Sequence, residues 1–419
     1  IYTILPQIFG SLCFFLYLCG KFWINMRRAQ FDILLSRLQE PRRFMQILAG
    51  PRQVGKTTLI NQVLGEISFP YLSISTDGVG YTNKTWIAEQ WAAARLMAKQ
   101  NTNQDFLLCI DEIQNIRDWS KYVKAEYDYD TAHNLPIKVV LSGSSRVMIM
   151  RGLSESLAGR FEIIHMPHWS YREMQEAFGM PVEQYIFFGG YPGAAPLIGD
   201  VRRWRQYIKS SIIEATMERD VLIDTPINNP PLLRKTLELA TAYSGQELAI
   251  QKIVGELQDF GSNSTAKNYL TLLGESGLVG ALEKYSIDIA RRKSSVPKMQ
   301  VYDNALRSYY TKLSYIDAIS RAELWGRLYE SSVGAHLINA TLDDEIELFY
   351  WRERDLEVDY ILRKGEDVIA IEVKSNKVAE TTGLNAFRAR FNPTKSFVVG
   401  SQGIPLDVFL SMPVESLFD

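Results

Sequence analysis

Cysteine and histidine are scarce in this chain. Its 419 residues contain three cysteines, Cys13, Cys19 and Cys109, and four histidines. Three cysteines at these spacings form neither a disulfide framework nor a zinc-ligand motif. The histidines include no HxxxH pair, which argues against a zinc enzyme. The low cysteine content predicts a protein of the reducing cytoplasm.

The chain also lacks an excess of charge of either sign. It has 46 Lys and Arg against 48 Asp and Glu, a formal net charge of −2. A protein that binds nucleic acid usually carries a basic surface, and this chain has no overall excess of basic residues to indicate one. Hydrophobic residues make up 46% and charged residues 22%. These values exclude a disordered tail protein and a multi-span membrane protein, and the length suggests roughly two to four globular domains.

Residues 1–20 (IYTILPQIFGSLCFFLYLCG) carry no charged side chain, and Lys21 is the first. A stretch of this length can just span a bilayer, with Lys21, Arg27 and Arg28 on the cytoplasmic side. Three interpretations stay open: a spurious or processed extension, a single membrane anchor, or a buried helix. We favour the first, because Met26 begins a plausible amphipathic helix, and we expect a cytoplasmic protein.

A phosphate-binding loop follows the short apolar strand predicted at residues 44–50. The sequence GPRQVGKT at residues 50–57 matches GxxxxGK[ST], and TLINQVLGEI after it is typical of a helix. Glycines let backbone N–H groups curl around phosphate oxygens. Lys56 would neutralise the β- and γ-phosphates, and the Thr57 hydroxyl would bind Mg²⁺. The predicted nucleotide-binding residues are Gly50, Pro51, Arg52, Gln53, Val54, Gly55, Lys56, Thr57 and Thr58.

Two acids end a second predicted strand. Residues 106–110 (FLLCI) form a continuous apolar run, suited to a buried parallel strand, and Asp111 and Glu112 follow it. Behind a phosphate-binding loop, Asp111 would hold Mg²⁺ and Glu112 would polarise the attacking water. The sequence therefore predicts hydrolysis of a nucleoside triphosphate at this site.

A third predicted strand, residues 138–141 (KVVL), ends in the polar run 142–145 (SGSS). Polar side chains at that strand end, Ser144 among them, would reach the γ-phosphate or the attacking water. A simple turn or helix cap is the alternative. Arg160, in SLAGR, would stabilise transition-state charge in its own chain or from a neighbouring subunit. A surface arginine paired with an acid is the competing interpretation.

Strands alternate with helices through this region, with a further strand predicted at 69–76 and a helix at 86–99. This order predicts an α/β fold with a doubly wound parallel sheet, whose ligands bind at the carboxyl ends of the strands.

At this point the sequence resembles a known family. GPRQVGKTT, CIDEIQNIRDW, VVLSGSSRVMI and LAGRFEIIHMPHWSYREM are similar to segments of a prokaryotic AAA-type ATPase family. Members usually carry a C-terminal domain related to restriction endonucleases. Residues 189–192 (GGYP) and 207–220 also match, and the resemblance covers residues 26–405. It implies binding of ATP and Mg²⁺, and it places Ser144 at the sensor position of these ATPases.

The middle of the chain divides into two predicted modules. Residues 166–228 read as a helical lid that closes on the nucleotide domain. Residues 229–300 have the helix–helix–turn–helix–strand order of a winged helix, with Ser264 as an N-cap. DNA readout would then use Thr265, Lys267 and Asn268. The alternative is a module that only packs between domains or binds a protein.

Acidic residues mark the C-terminal region. Asp359 lies in one predicted strand, residues 350–362, and Glu372 and Lys374 share one face of the next, residues 368–374. Two carboxylates and a lysine on adjacent strands are typical of a metal-dependent nuclease site, with Glu330 as a further ligand. Residues 317–419 hold 11 Lys and Arg against 18 Asp and Glu, which would repel a phosphate backbone. Cleavage and a retained, inactive nuclease-like fold therefore both stay open.

The combined expectation is an ATPase that engages DNA or a protein partner through its C-terminal modules, with homo-oligomerisation left open. The alternative is an ATP-controlled switch with an inactive endonuclease-like domain. The predicted domains are an N-terminal extension (1–25), an AAA-type core (26–165), a helical lid (166–228), a winged-helix-like module (229–300) and an endonuclease-like domain (301–419).

Overall fold

The computed structural model describes residues 26–100, 104–144, 149, 153, 156–222, 227, 229–256, 262–288, 292, 295–343, 345–375 and 382–419. The apolar stretch 1–20 and Ser145 lie outside these residues, so the predictions made for them stay predictions. Within the described ranges, no helix is long and apolar enough to cross a membrane.

The first region alternates helices and strands around one parallel sheet. Its strands run in the order β2-β3-β4-β1-β5, and every neighbouring pair is parallel. Helices cover both faces, which confirms the predicted α/β fold. The elements are α1 (Gln30–Gln39), β1 (Met45–Ala49), α2 (Lys56–Leu64), β2 (Tyr71–Ser75), α3 (Thr85–Gln100), β3 (Phe106–Asp111), α4 (Trp119–Ala132), β4 (Ile137–Gly143) and β5 (Phe161–His165).

Two separate apolar cores hold this sheet, one on each face. Ile47 packs in one core with Leu108, whereas its neighbour Leu48 packs in the other with Leu107. This separation follows from the strand geometry, because successive side chains point to opposite faces. All residues of β1 and β4 are buried. The phosphate-binding loop therefore starts from the rigid centre of the sheet, at the carboxyl end of β1.

A helical segment follows β5. It contains α5 (Tyr171–Phe178), α6 (Val182–Phe188) and α7 (Val201–Tyr207), and α7 runs directly into π-helical segments at Ile208–Glu214 and Met217–Val221. Ser170 caps α5 in a capping box, because its side chain accepts from the Glu173 N–H while the Glu173 carboxylate accepts from the Ser170 N–H. The segment is helical, as its sequence predicts; its role as a lid stays a prediction.

Residues 229–301 have the predicted order of elements, with shifted details. They form α8 (Pro230–Ala242), β6 (Gln246–Glu247), α9 (Ile250–Glu256), α10 (Asn263–Glu275), β7 (Val279–Lys284) and β8 (Lys298–Val301). The N-cap of α10 is Ser262, whose hydroxyl accepts from the Thr265 N–H, and not the predicted Ser264. The side chains of Lys267 and Asn268 are exposed on α10. The winged-helix assignment itself stays a prediction.

The remaining elements complete a mixed seven-stranded sheet. These are α11 (Asn304–Thr311), α12 (Tyr315–Ser320), α13 (Ala322–Asn339), β9 (Glu347–Glu353), β10 (Leu356–Lys364), β11 (Asp367–Lys374), α14 (Thr382–Phe391), β12 (Lys395–Gly400) and α15 (Leu406–Ser411). The strand order is β12-β11-β10-β9-β7-β8-β6. Because β7 pairs with β9, the sheet runs straight across the boundary predicted at residue 300.

The structure corrects one predicted strand. Residues 350–362 do not form a single strand, since β9 ends at Glu353 and β10 begins at Leu356. Arg354 between them has a φ of 55°, in the left-handed region, so the chain reverses there. The two halves pair antiparallel, with Leu356 opposite Glu353. Asp359 therefore lies on a strand flanked on both sides, by β9 and by β11.

Candidate active site

The phosphate-binding loop forms a wide turn between β1 and α2. Gln53 and Gly55 have φ angles of 63° and 93°, which turns the loop around a central hollow. The Lys56 ammonium donates to the carbonyls of Gly50 (2.9 Å) and Pro51 (2.8 Å). The side chains of Gln53, Thr57 and Thr58 are exposed. The loop thus presents N–H groups, a lysine and the start of a helix to an incoming phosphate.

Oxygen atoms suited to Mg²⁺ lie beside this loop. The Thr57 hydroxyl donates to Asp111 Oδ2 at 2.7 Å, and the Ser142 hydroxyl donates to the other oxygen of the same carboxylate. A carboxylate next to a hydroxyl is the hard oxygen donor set that Mg²⁺ prefers. Thr57 and Asp111 therefore fit the predicted metal role. Ser142, from the polar run at the end of β4, therefore lies against the Asp111 carboxylate.

Glu112 is held next to Asp111 by its own set of donors. Its Oε2 accepts from the Ser144 hydroxyl at 2.7 Å, the Ser144 N–H at 3.1 Å and the Gln114 amide. Burial alone would raise the pKa of Glu112, but the Lys56 charge and these hydrogen bonds bring it below its usual value. The carboxylate is thus kept ionised. The structure places Ser144 against Glu112, at the carboxyl ends of neighbouring strands.

The same buried and charged surroundings shift the pKa of Lys56. Burial lowers the pKa of Lys56, and the negative charges of Glu112 and Asp111 offset only part of that effect. A bound phosphate chain would add negative charge beside Lys56 and favour its charged form.

Side chains from distant segments support the loop from outside. The Val54 carbonyl accepts from the Trp169 indole N–H at 3.0 Å and from Arg28 at 3.1 Å. Arg28 is itself fixed by Glu173, at 2.8 Å and 3.2 Å. Pro51 lies against the turn at Gly277, where an added Cβ would lie 3.2 Å from the proline ring. These contacts tie the loop to the helical segment and to the α10–β7 turn.

Arg52, a residue of the loop, forms an ion pair with a residue outside it. Its guanidinium donates to both oxygens of Asp220, each at 2.7 Å. Burial raises the pKa of Asp220, and the bond from Arg52 pulls it back in part. No sequence signal links these two residues, which lie 168 positions apart. Sequence reasoning named Arg52 as a nucleotide contact and missed its partner.

Arg160 does not join this site within one chain. It precedes β5, which runs parallel to β1, so it lies at the amino ends of the strands while the phosphate-binding loop lies at the carboxyl ends. Its guanidinium binds both oxygens of Asp128, at 2.6 Å and 3.0 Å. The geometry corrects the predicted role in the same chain and matches the competing interpretation, an arginine paired with an acid.

The C-terminal acids do come together, but around a lysine that sequence reasoning missed. The Lys298 side chain is fully buried, and its ammonium donates to Glu330 at 2.7 Å and to the Asp359 carbonyl at 3.2 Å. Carboxylate oxygens of Asp359 and Glu357 both lie 3.9 Å away. Glu372 pairs instead with Lys374, at 2.6 Å. These acids and lysines are called the acidic cluster below.

Burial favours the neutral forms of two carboxyl groups in the acidic cluster. Burial and the Glu330 charge raise the pKa of Asp359 well above its usual value despite Lys298. Burial also raises the pKa of Glu372, with Lys374 opposing it. The acids in turn raise the pKa of Lys298, so its ammonium stays charged. One internal cation is thus shared among several carboxylates.

The fit of a metal to the acidic cluster is mixed. Among the described residues, Glu372 Oε2 is a buried oxygen without a hydrogen-bond partner, which is what a cation ligand looks like. However, the described part of the chain has no group of three or more His, Cys, Asp or Glu side chains placed to hold a metal ion. Lys298 already supplies positive charge there. The cluster is therefore not a ready-made multi-carboxylate site.

Comparison with known proteins agrees with the geometry of the first region. Residues 42–175 match the model of an AAA domain. The first region is therefore similar to AAA-type P-loop domains in both sequence and fold. Residues 181–317 and 325–408 match two domain families of unknown function. The two matches are separated by residues 318–324, and the domain boundaries expected from the sequence stay predictions.

Relatives and solved structures extend the likeness beyond the first region. The uncharacterized proteins Rv2008c of Mycobacterium tuberculosis and Mb2031c of Mycobacterium bovis are each 26% identical over 332 residues, which is 78% of this chain and 69% of theirs. The Walker-type ATPase PABY2304 of Pyrococcus abyssi superposes with a TM-score of 0.50 at 16% identity, over 68% of this chain and 95% of that one. At that identity the likeness concerns the fold.

Proposed function

We propose that this chain binds ATP with Mg²⁺ at the phosphate-binding loop and hydrolyses it. The observation that carries the proposal is the convergence of Lys56, Thr57, Asp111 and Glu112 at the carboxyl edge of one parallel sheet. Lys56 would hold the β- and γ-phosphates, and Glu112 would orient and polarise the attacking water. Bound Mg²⁺ would neutralise charge that develops on the phosphate oxygens. Thr57 and Asp111 would hold it.

The direct test is phosphate release from ATP by the full chain, with and without Mg²⁺. Lys56→Ala is the variant and Lys374→Ala the matched control, since both remove a lysine beside carboxylates. We expect turnover in the wild type and the control, and none in Lys56→Ala. Turnover retained by a folded Lys56→Ala protein would overturn the assignment.

We further propose that ATP state controls how the C-terminal region engages a partner, without cleavage. Lys298 supports this, because it supplies internally the positive charge that a catalytic metal would bring to the acidic cluster. The surplus of acids over residues 317–419 favours a protein partner over a nucleic acid. DNA contact through the exposed Lys267 and Asn268 remains the alternative, with the chain acting in the cytoplasm alone or as a homo-oligomer.

A metal-dependent nuclease is the second candidate function, favoured by one observation. The buried, unpartnered Oε2 of Glu372 lies in the acidic cluster of the described residues, next to the strand that carries Asp359. In this reading Asp359 and Glu372 would hold the metal, Glu330 would assist, and Lys374 would orient the attacking water.

One experiment separates the two candidates. The full chain is incubated with Mg²⁺ or Mn²⁺, with and without ATP, on single-stranded, duplex and branched DNA and on RNA, with Lys374→Ala in parallel. Cleavage that disappears in Lys374→Ala would establish the nuclease. If no polymer is cut while ATP hydrolysis continues, the switch is supported and the search turns to protein partners.

A further inference from the structure

The Arg52–Asp220 pair joins the phosphate-binding loop to a segment outside the ATPase domain. Both guanidinium-to-carboxylate distances are 2.7 Å, and the exposed fractions of the side chains are 18% for Arg52 and 2% for Asp220. Two parallel charge-assisted hydrogen bonds of this kind are strong and geometrically specific. The pair therefore sets where the segment around Asp220 lies against the loop.

The pair also lies within the electric field of the catalytic groups. The charges of Lys56 and Glu112 both act on the Asp220 carboxylate, and the charge of Glu112 acts on Arg52 as well. The γ-phosphate of bound ATP belongs between Lys56 and Glu112, because one neutralises it and the other orients the water that attacks it. Because Arg52 belongs to the same loop as Lys56, a γ-phosphate bound there would attract its guanidinium and repel the Asp220 carboxylate.

The other outside contacts of the loop would not compete with a phosphate. Trp169 and Arg28 both donate to the Val54 carbonyl, and the apolar ring of Pro51 lies near Gly277, 3.2 Å from where a Cβ would be. A phosphate oxygen accepts hydrogen bonds, so it can replace another acceptor. It cannot replace Trp169 or Arg28, because these are the donors to the Val54 carbonyl. Among the loop's own side chains in these contacts, Arg52 is the one that donates to a carboxylate, which a phosphate can replace.

Asp220 is carried by a segment anchored in the larger core of the protein. It lies in the π-helical stretch Met217–Val221, which follows a second such stretch at Ile208–Glu214. Met217 and Val221 on either side of Asp220 are buried with residues of β7, β8 and α13. Wide helical turns of this type are uncommon and often mark functional sites. A shift of Asp220 would therefore disturb the packing of the region that carries the acidic cluster.

We propose that Arg52 and Asp220 form a γ-phosphate-sensing latch that distinguishes ATP from ADP. Without a γ-phosphate, Arg52 holds Asp220 and the 208–221 segment against the loop. The γ-phosphate of ATP accepts the Arg52 hydrogen bonds, and Asp220, left beside a second anion, moves away with its segment. ADP leaves the pair closed. The latch rests on the proposed ATP site and adds its coupling to the rest of the chain.

The first test measures affinity for a non-hydrolysable ATP analogue and for ADP by calorimetry on the full chain. Asp220→Asn removes the competing charge, so the preference for the ATP analogue over ADP should rise roughly tenfold. Arg52→Gln removes the γ-phosphate donor, so the preference should fall by a similar factor. Glu126→Gln is the matched control, because it breaks an arginine–carboxylate contact of equal length, 2.7 Å to Arg95, away from the loop.

The second test follows amide hydrogen exchange over residues 208–221. In the wild type, exchange should rise with the ATP analogue and stay unchanged with ADP. In Asp220→Asn, exchange should already be high without nucleotide, while melting curves check that the variant is folded. Equal responses to both nucleotides, or an unchanged affinity ratio in both variants, would overturn the latch alone. Failure of the wild type to bind either nucleotide would overturn the ATP site and the latch with it.

Discussion

The nucleotide site and the acidic cluster contain the same kinds of side chain in different arrangements. Lys56 donates to backbone carbonyls, and Asp111 accepts from hydroxyl groups, so neither has its charge neutralised by the other. Lys298, by contrast, donates directly to Glu330 and lies near further carboxylates. The first site is ready for an external phosphate and cation, and the second has a cation of its own. A lysine near acids therefore indicates a catalytic site only when its charge is left available.

The largest effect should come from the lysine whose charge is available. Lys56→Ala is expected to reduce ATP hydrolysis at least about 10²–10³-fold, the cost of losing one preorganised charge at a reacting centre. Lys374→Ala should leave hydrolysis unchanged, because it lies in the acidic cluster. Phosphate release measures both. A comparable loss in the two variants would mean that the two sites are not functionally separate.

Removing the internal cation should destabilise the protein without touching the nucleotide site. Lys298→Met leaves buried carboxylates uncompensated, which is expected to lower the free energy of unfolding by about 3–5 kcal/mol. The matched control is Lys364→Met, which breaks an exposed pair with Glu345 and should cost about 0–1 kcal/mol. Urea denaturation measures both values. A loss in Lys298→Met as small as in the control would show that Lys298 does not neutralise the acidic cluster.

Substitutions of the acids in the two regions should also have different effects on ATP hydrolysis. Glu112→Gln is expected to slow hydrolysis about 10²-fold or more while ATP stays bound, because a neutral amide cannot polarise the attacking water. Glu372→Gln should hydrolyse ATP as the wild type does. Single-turnover assays with labelled ATP measure trapping and release. Rapid appearance of ADP and phosphate from Glu112→Gln would remove Glu112 from its role.

The smallest expected effect is the pH response of a histidine packed between the two regions. The His168 ring contacts the Gly277 carbonyl at 3.0 Å, behind the phosphate-binding loop. Burial lowers the pKa of His168 to about 4, below its usual value of 6.5. Its contribution to stability is therefore complete above pH 6.5 and is lost as the pH falls towards 4, by up to about 3 kcal/mol.

His168→Gln should remove that contribution to acid sensitivity. Relative to the variant, the wild type should lose stability progressively between pH 6.5 and 4, as measured by urea denaturation at a series of pH values. The exposed His133→Gln is the control and should follow the wild type. Parallel pH curves for wild type and His168→Gln would contradict a neutral, buried His168.

Most of the nucleotide site could be predicted because its signals are local. The loop from Gly50 to Thr57 lies between a strand and a helix that the hydrophobic pattern indicates, and Asp111 and Glu112 directly follow a buried strand. The carboxyl ends of parallel strands meet at one edge, so these groups had to be neighbours. The hypothesis that Arg160 acts at the nucleotide site of its own chain was wrong. Its proximity in sequence to a strand did not specify which end of the sheet it would occupy.

The C-terminal region was less predictable because its decisive contacts are long-range. Asp359, Glu372 and Lys374 could be placed on neighbouring strands from their alternation. Lys298 could not be placed with them, because it reaches the cluster through the pairing of β8 with β7 and of β7 with β9. The turn at Arg354 was also missed, since neither Gly nor Asn marks its left-handed position.

The sequence by itself determined the α/β alternation, the phosphate-binding loop and the two acids that follow β3, because each depends on residues within one strand–loop unit. Tertiary structure alone decided which charges neutralise one another. It gave Lys298 to the acidic cluster, Asp128 to Arg160 and Asp220 to Arg52. The physical reason is that a charge pairs with whatever the fold brings within a few ångströms. That distance is set by the packing of the two sheets and their helices, and not by separation along the chain.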